Sequence, residues 1–290
     1  MSHTESRGNS AEPQSGAPSL WERARSSAAT WGLVPPHSHG TSGAERTPHQ
    51  TGWDFGGAAL GALVGLAGLL HIAYYARPFE DAYITFRYAR NVANGLGVVY
   101  NAGERVEGCT SLAWTLLLAG LSRVGASLPS AGTALSVSSG ALLLVATACA
   151  ARMASPLRVF PKGSAPPRRA MLLAPTLVAC NGTFAYYSGT GMETTLFALL
   201  VLASVMLAAT PTRDAPAGIA LGLVLAGAAS TRPEGTGYAF AMLLALALRR
   251  KARLRASVAA LAFVIPFAAL SIARYHYFGD LLPNTYYAKA

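Results

Sequence analysis

Between two apolar runs the chain reads FEDAYITFRYARNVANGLGVVYNAGERVEGCTS, Phe79 to Ser111, with four acids and three arginines. Adjacent carboxylates such as Glu80 and Asp81 can hold a divalent metal together, or one can take a proton as a general base. Asp81 also stands where its charge favours the N-terminus of a helix predicted over AYITFRYARNVANG. In that segment Tyr83, Phe86, Tyr88 and Val92 alternate with Arg87, Arg90 and Asn91. The pattern predicts an interfacial amphipathic helix that stops at Asn94-Gly95. Arg87 and Arg90 can meet the phosphate of a lipid headgroup or of a substrate. Further on, Glu104, Arg105 and Glu107 lie among glycines, which by itself predicts a turn.

Other charges stand at the ends of apolar runs: Glu193 in SGTGMET, and Arg232 and Glu234 in STRPEG. Charged groups at membrane depth are functional candidates. An internal Arg232–Glu234 clamp, or a side chain snorkelling from a helix end, is the plainer alternative. FGDLLPNTYYAK offers Asp280, Asn284, Tyr286, Tyr287 and Lys289; an interfacial aromatic belt accounts for the tyrosines equally well. Cys109, Cys149 and Cys180 have neither a disulfide framework nor a metal-site spacing, and are expected as buried small hydrophobes. Asn181-Gly-Thr matches a glycosylation signal by letters only, because it falls in an apolar run. His37 and His39 of PHSHG belong to a polar, solvated tail.

The elements that must position these residues follow from composition. The 290 residues are 52% hydrophobic and 12% charged, where soluble chains carry about a quarter charged residues. Mean hydropathy is +0.35. The net charge of +10 would suggest nucleic acid in a soluble protein. Here the basic residues lie between apolar runs, as in cytoplasmic loops of membrane proteins, so nucleic acid is not an expected partner; the lipid bilayer is. Residues 1–55 are rich in Ser, Gly, Pro, Thr and His and predict a disordered cytoplasmic tail. Residues 56–290 form the transmembrane module, with apolar runs at 56–76, 112–121, 132–151, 170–184, 196–209, 217–229, 238–248 and 256–272. They lack the alternation of membrane strands. The expected fold is all-α, a polytopic helical bundle with about seven or eight spans.

Orientation comes from Lys and Arg. Segment 152–169 carries Arg152, Arg158, Lys162, Arg168 and Arg169, and segment 249–255 carries Arg249, Arg250, Lys251, Arg253 and Arg255, both without an acid. Both are expected in the cytoplasm. The breaks at 189–194 and 231–237, and the stretch after Ile272, then face outside. Glu193, Glu234 and Asp280 follow them, and Asp214 lies inside. If the opening loop, 77–111, also faces outside, seven of the eight acids after the tail share one side. A shared site explains this gathering; chance with so few acids is the alternative. The parity requires residues 111–151 to cross an odd number of times. Leu112–Leu121 is only about 15 Å long as a helix, so a re-entrant or interfacial helix there satisfies the count; two crossings would overturn one placement.

Taken in order, FEDAYITFRYARNVANGLGVVYNAGERVEGCTSLAW, SGTGMETTLFALL, STRPEG and FGDLLPNTYYAK resemble polytopic glycosyltransferases of the GT-C superfamily. The likeness is to bacterial arabinofuranosyltransferase-like and protein-mannosyltransferase-like members, over about residues 56–290. It implies a polyprenyl-phosphate sugar donor, an acceptor glycan or protein, and an active site on the extracytoplasmic side of the cell (inner) membrane. It implies a carboxylate base in the first outer loop, matched here by Asp81 with Glu80 beside it. Arg87, Glu107, Glu193, Arg232, Glu234, Asn284, Tyr286 and Lys289 become candidates for substrate binding, with Arg232 and Lys289 nearest in charge to a phosphate partner. One carboxylate suffices for inverting transfer, so neither a divalent metal nor another cofactor is required. Such proteins usually continue beyond PNTYYAK, so a separately encoded C-terminal half is an expected partner. A transporter subunit and an inactive truncated scaffold are the other classes. Acids at span ends rather than mid-span, and no inverted repeat, speak against transport.

Overall fold

A computed structural model describes residues 55–154, 171–211 and 214–280. The expected tail, most of the 152–169 basic segment, and Asn284, Tyr286 and Lys289 lie outside the described residues. Among the described residues every regular element is a helix. In chain order these are α1 (Phe55–Tyr74), α2 (Ala82–Ala93), α3 (Leu112–Arg123), α4 (Leu128–Ala154), α5 (Leu173–Ala179), α6 (Gly182–Gly189), α7 (Thr194–Ala209), α8 (Ala215–Thr231) and α9 (Glu234–Ala247). A 3-10 turn at Arg250–Ala252 leads into α10 (Arg253–Phe278). By length and composition α1, α4 and α10 can each cross a membrane, and a fourth span results if α6 and α7, bent by 115° at their junction, count as one.

Among the described residues, three small cores hold the bundle. Ile72, Leu144, Ala179 and Ala185 join α1, α4, α5 and α6. Phe86, Trp114, Leu118 and Leu128 join α2, α3 and the start of α4. Leu221, Leu225, Leu243 and Phe263 join α8, α9 and α10. Helix α7 bridges the first and third groups by packing on α4 and α8. In lipid the hydrophobic effect does not drive helices together, so close approach and polar contacts must. Both are present. A Cβ on Gly222 would collide with the Ala259 carbonyl, so glycine there lets α8 lie directly on α10. The Ser204 and Tyr238 hydroxyls, 2.6 Å apart, tie α7 to α9.

The predicted amphipathic helix is present as α2 and ends at Asn94. Its apolar face, Phe86, Tyr88 and Ala89, is buried, while Arg87 and Arg90 stay exposed. Helix α3 has 12 residues, about 18 Å at 1.5 Å per residue, and packs along α2 rather than reaching the length of a span.

Two expectations are corrected. The run 170–184 is not continuous: α5 ends at Ala179, and the Asn181 side chain caps α6 by accepting the Phe184 N–H at 2.9 Å. A short polar side chain that competes for backbone N–H groups restarts a helix even in an apolar context. Cys149 and Cys180 are exposed, and only Cys109 is buried. In a membrane bundle the outer face is apolar too, so apolar neighbours do not imply burial.

Candidate functional site

The turn between α6 and α7, Thr190 to Glu193, is anchored to three other parts of the chain. Three consecutive carbonyls each accept a donor from a different element: Thr190 from the Phe79 N–H (2.9 Å), Gly191 from the Trp114 indole (3.2 Å), and Met192 from the Ser136 hydroxyl (2.7 Å). Gly191 sits at φ +77°, a backbone conformation that side chains disfavour. The turn therefore gathers α2's entry, α3, α4 and α7, and it fixes Glu193 at the N-terminal end of α7. Glu193 is 7% exposed and does not cap its own helix.

Its partner comes from the α8–α9 corner. Arg232 precedes Pro233, which pushes the preceding residue out of helical geometry. Arg232 is extended (φ −146°, ψ 142°) and ends α8. Its guanidinium is forked between two carboxylates, Nη1 to Glu193 Oε1 at 3.2 Å and Nη2 to Glu234 Oε1 at 3.4 Å. Both the clamp and the snorkelling alternative are thereby decided in favour of a clamp, and it includes Glu193.

Asp81 lies at the N-cap position of α2 but makes no capping hydrogen bond with its side chain. Asp81 thus takes the helix-end position expected from the sequence, as an exposed carboxylate without a cap bond. It lines a cavity of about 580 Å³ together with Phe79, Tyr186, Tyr187, Phe197, Arg232 and Glu234. Three of these aromatics form a run of edge-on contacts, Phe79 to Tyr186 at 6.0 Å and Tyr186 to Tyr187 at 5.3 Å. The lining thus combines aromatic rings with two carboxylates and a guanidinium. Glu80 is exposed and is not among the residues lining the cavity. Among the described residues no three His, Cys, Asp or Glu side chains converge to hold a metal.

The remaining loop acids go elsewhere. Glu107 is 5% exposed and pairs with Arg274 of α10 at 2.8 Å; its Oε2 has no partner among the described residues. Around it the loop is pinned to α2. Tyr88 donates to the Val106 carbonyl (2.9 Å) and accepts the Gly108 N–H (2.9 Å). Burial, the leading cause, raises the Tyr88 phenol above its ordinary range, so it stays a donor. Asn91 donates to the carbonyls of Val99 and Tyr100 (2.8 and 2.9 Å). Arg105 stacks on the Tyr277 ring at 5.1 Å. Arg87 donates to the Tyr100 carbonyl (3.1 Å) and lies over its ring, so it organises the loop. The structure brings together Asp81, Glu193, Arg232 and Glu234, and it sets Arg87 and Glu107 apart.

Two arginines of α10 mark its opposite ends. Arg255, buried, donates to the carbonyls of Leu207 and Thr210 at the C-terminal end of α7. Arg274 is nineteen residues further along α10, about 28 Å away. The Glu107 loop therefore lies at the end of α10 opposite the basic turn 249–255.

Sequence reading missed Arg274, the inward turn of Arg255 and the aromatic lining. The Tyr186-Tyr187 pair immediately before SGTGMET was the available signal. No family model matches the chain, and no match emerges among curated proteins or solved structures.

Proposed function

We propose that the chain is a membrane glycosyltransferase module of GT-C type, transferring a sugar from a polyprenyl phosphate to an extracytoplasmic acceptor glycan or protein, with inversion. The observation that carries the reading is Asp81: a carboxylate without a cap bond, on a cavity it shares with Arg232, Glu234 and an aromatic wall. In this reading the spans number about seven, namely α1, α4, α5 with α6, α7, α8, α9 and α10, while α3 does not cross. That count keeps both basic segments in the cytoplasm and puts Asp81, Glu193 and Glu234 outside, in the cell membrane's outer face. The short α3, and the position of the Glu107 loop opposite the basic turn, support it.

The chemistry is a single displacement. Asp81 takes the proton of an acceptor hydroxyl as that oxygen bonds to the anomeric carbon. The bond from that carbon to the phosphate oxygen breaks on the opposite face, and its electron pair leaves with the phosphate. The guanidinium of Arg232 stabilises the charge that develops there. Tyrosines and phenylalanines keep water from the reacting carbon. The test is transfer by membranes containing the chain, supplied with radiolabelled polyprenyl-phosphate arabinose or mannose. Transfer that disappears with Asp81→Asn supports the reading. Transfer that survives Asp81→Asn removes Asp81 as the base, and absence of transfer from the unaltered chain favours a scaffold.

A further inference from the structure

Arg232 is held by two carboxylates of very different exposure. The Glu193 side chain is 9% exposed, the Glu234 side chain 65%, and the guanidinium arm between them 32%. Releasing an exposed carboxylate from an ion pair costs little, whereas stripping a buried one of its partner costs far more. The two contacts therefore have different permanence. Glu193 stands on the turn whose three carbonyls are tied to three other elements, so it cannot follow a moving arginine. Glu234 is in the first turn of α9 with most of its side chain exposed, and it can swing away. Arg232 itself cannot retreat along the chain, because Pro233 and the end of α8 fix its backbone.

The charge balance of the cavity gives the arrangement its use. The cavity lining carries two carboxylates, Asp81 and Glu234, and one guanidinium, Arg232, with the buried Glu193 behind it, so an anion meets a net negative rim while Glu234 stays in place. A guanidinium has five N–H donors, and two are engaged here. We infer that Glu234 is a displaceable counter-ion: a phosphate-bearing ligand takes its place on Arg232, while Glu193 holds the guanidinium in position. Glu193 is then a positioning residue, and Glu234 a competitor that keeps the site closed to weaker anions until a phosphate, with its several charged oxygens, replaces it. The inference rests on the reading above only for the source of the phosphate, a lipid-linked donor.

The experiment is calorimetric titration of the purified full chain in detergent with three probes: a short-chain prenyl phosphate, the matching prenyl alcohol and inorganic phosphate. Glu234→Gln is expected to tighten prenyl phosphate about 2- to 5-fold, the size of a released exposed pair, and to leave the alcohol unchanged. Arg232→Gln weakens prenyl phosphate at least about tenfold, the loss of charged hydrogen bonds. In the Arg232→Gln background the Glu234→Gln gain vanishes, because it acts through the arginine. Glu234→Gln binding that is unchanged or weaker overturns the inference, as does a gain that persists without Arg232, which is plain repulsion. The two readings fail separately. Inorganic phosphate binding as tightly as prenyl phosphate keeps the displacement and removes the lipid donor. Sugar transfer with no Glu234→Gln gain keeps the donor and removes the displacement.

Discussion

Glu193–Arg232 and Glu107–Arg274 are built from the same parts: an acid from a loop and an arginine near the C-terminal end of a helix, with the acid buried in each. Their surroundings separate them. The first pair opens on a cavity, shares its arginine with an exposed second acid, and lies beside a carboxylate that does not cap its own helix. The second is closed in by a loop whose backbone is tied to Tyr88 and Asn91. Burial and pairing alone therefore do not mark a site. The first pair shares its arginine with an exposed carboxylate on the cavity lining, whereas the second leaves Glu107 Oε2 buried without a partner among the described residues. The second is a brace that fastens the 96–111 loop to α10.

The comparison predicts its own order of effects. Asp81→Asn is expected to lower transfer by about 10²–10⁴-fold, the usual range for a lost general base, with the thermal midpoint unmoved. Glu80→Gln changes transfer by less than about twofold and leaves the thermal midpoint unmoved, because its side chain is exposed. On the brace side, Glu107→Gln or Arg274→Gln lowers unfolding stability by roughly 2–3 kcal/mol, somewhat less than a fully buried half-pair because Arg274 is partly exposed. The prenyl phosphate affinity of the folded fraction is unchanged. A loss of affinity without a loss of stability would make Glu107 part of the site and end the contrast. Gly222→Val serves as a control remote from both pairs. Overpacking the α8–α10 contact costs about 1–3 kcal/mol, read as a lower thermal midpoint. Arg87→Gln also has a small effect, within about 1 kcal/mol of stability for its exposed contacts with Tyr100, with transfer retained.

Much of this architecture was legible because it is local. Apolar runs bounded by Gly, Pro and charge became helices, and the 3.6-residue pattern of AYITFRYARNVA became α2. STRPEG read as a break between two apolar runs, and it is the corner between α8 and α9. The pairing of loop acids was not legible, since Glu107 and Arg274 are brought together only by the packing of α10 beside the loop. Nor was the inward course of Arg255: it shares a basic segment with four residues that read identically by charge, and only the end of α7 distinguishes it. The break at Cys180-Asn181 was hidden by apolar neighbours on both sides. Glu193 was singled out correctly as a charge at a helix end, but its commitment to Arg232 depends on the three carbonyl contacts of its turn, which leave no mark in sequence.

The account depends most on which side of the membrane the Asp81 loop faces. The direct measurement places a cysteine at the exposed Glu80 position, Glu80→Cys, in a chain whose three cysteines are replaced by serine or alanine. Intact spheroplasts are then treated with a membrane-impermeant maleimide, with a cysteine at exposed Lys251, Lys251→Cys, as the opposite-side reference. The account predicts labelling at position 80 in intact cells and at 251 only after permeabilisation. Labelling at 251 in intact cells, with position 80 protected until permeabilisation, would put the loop in the cytoplasm and contradict the proposed chemistry.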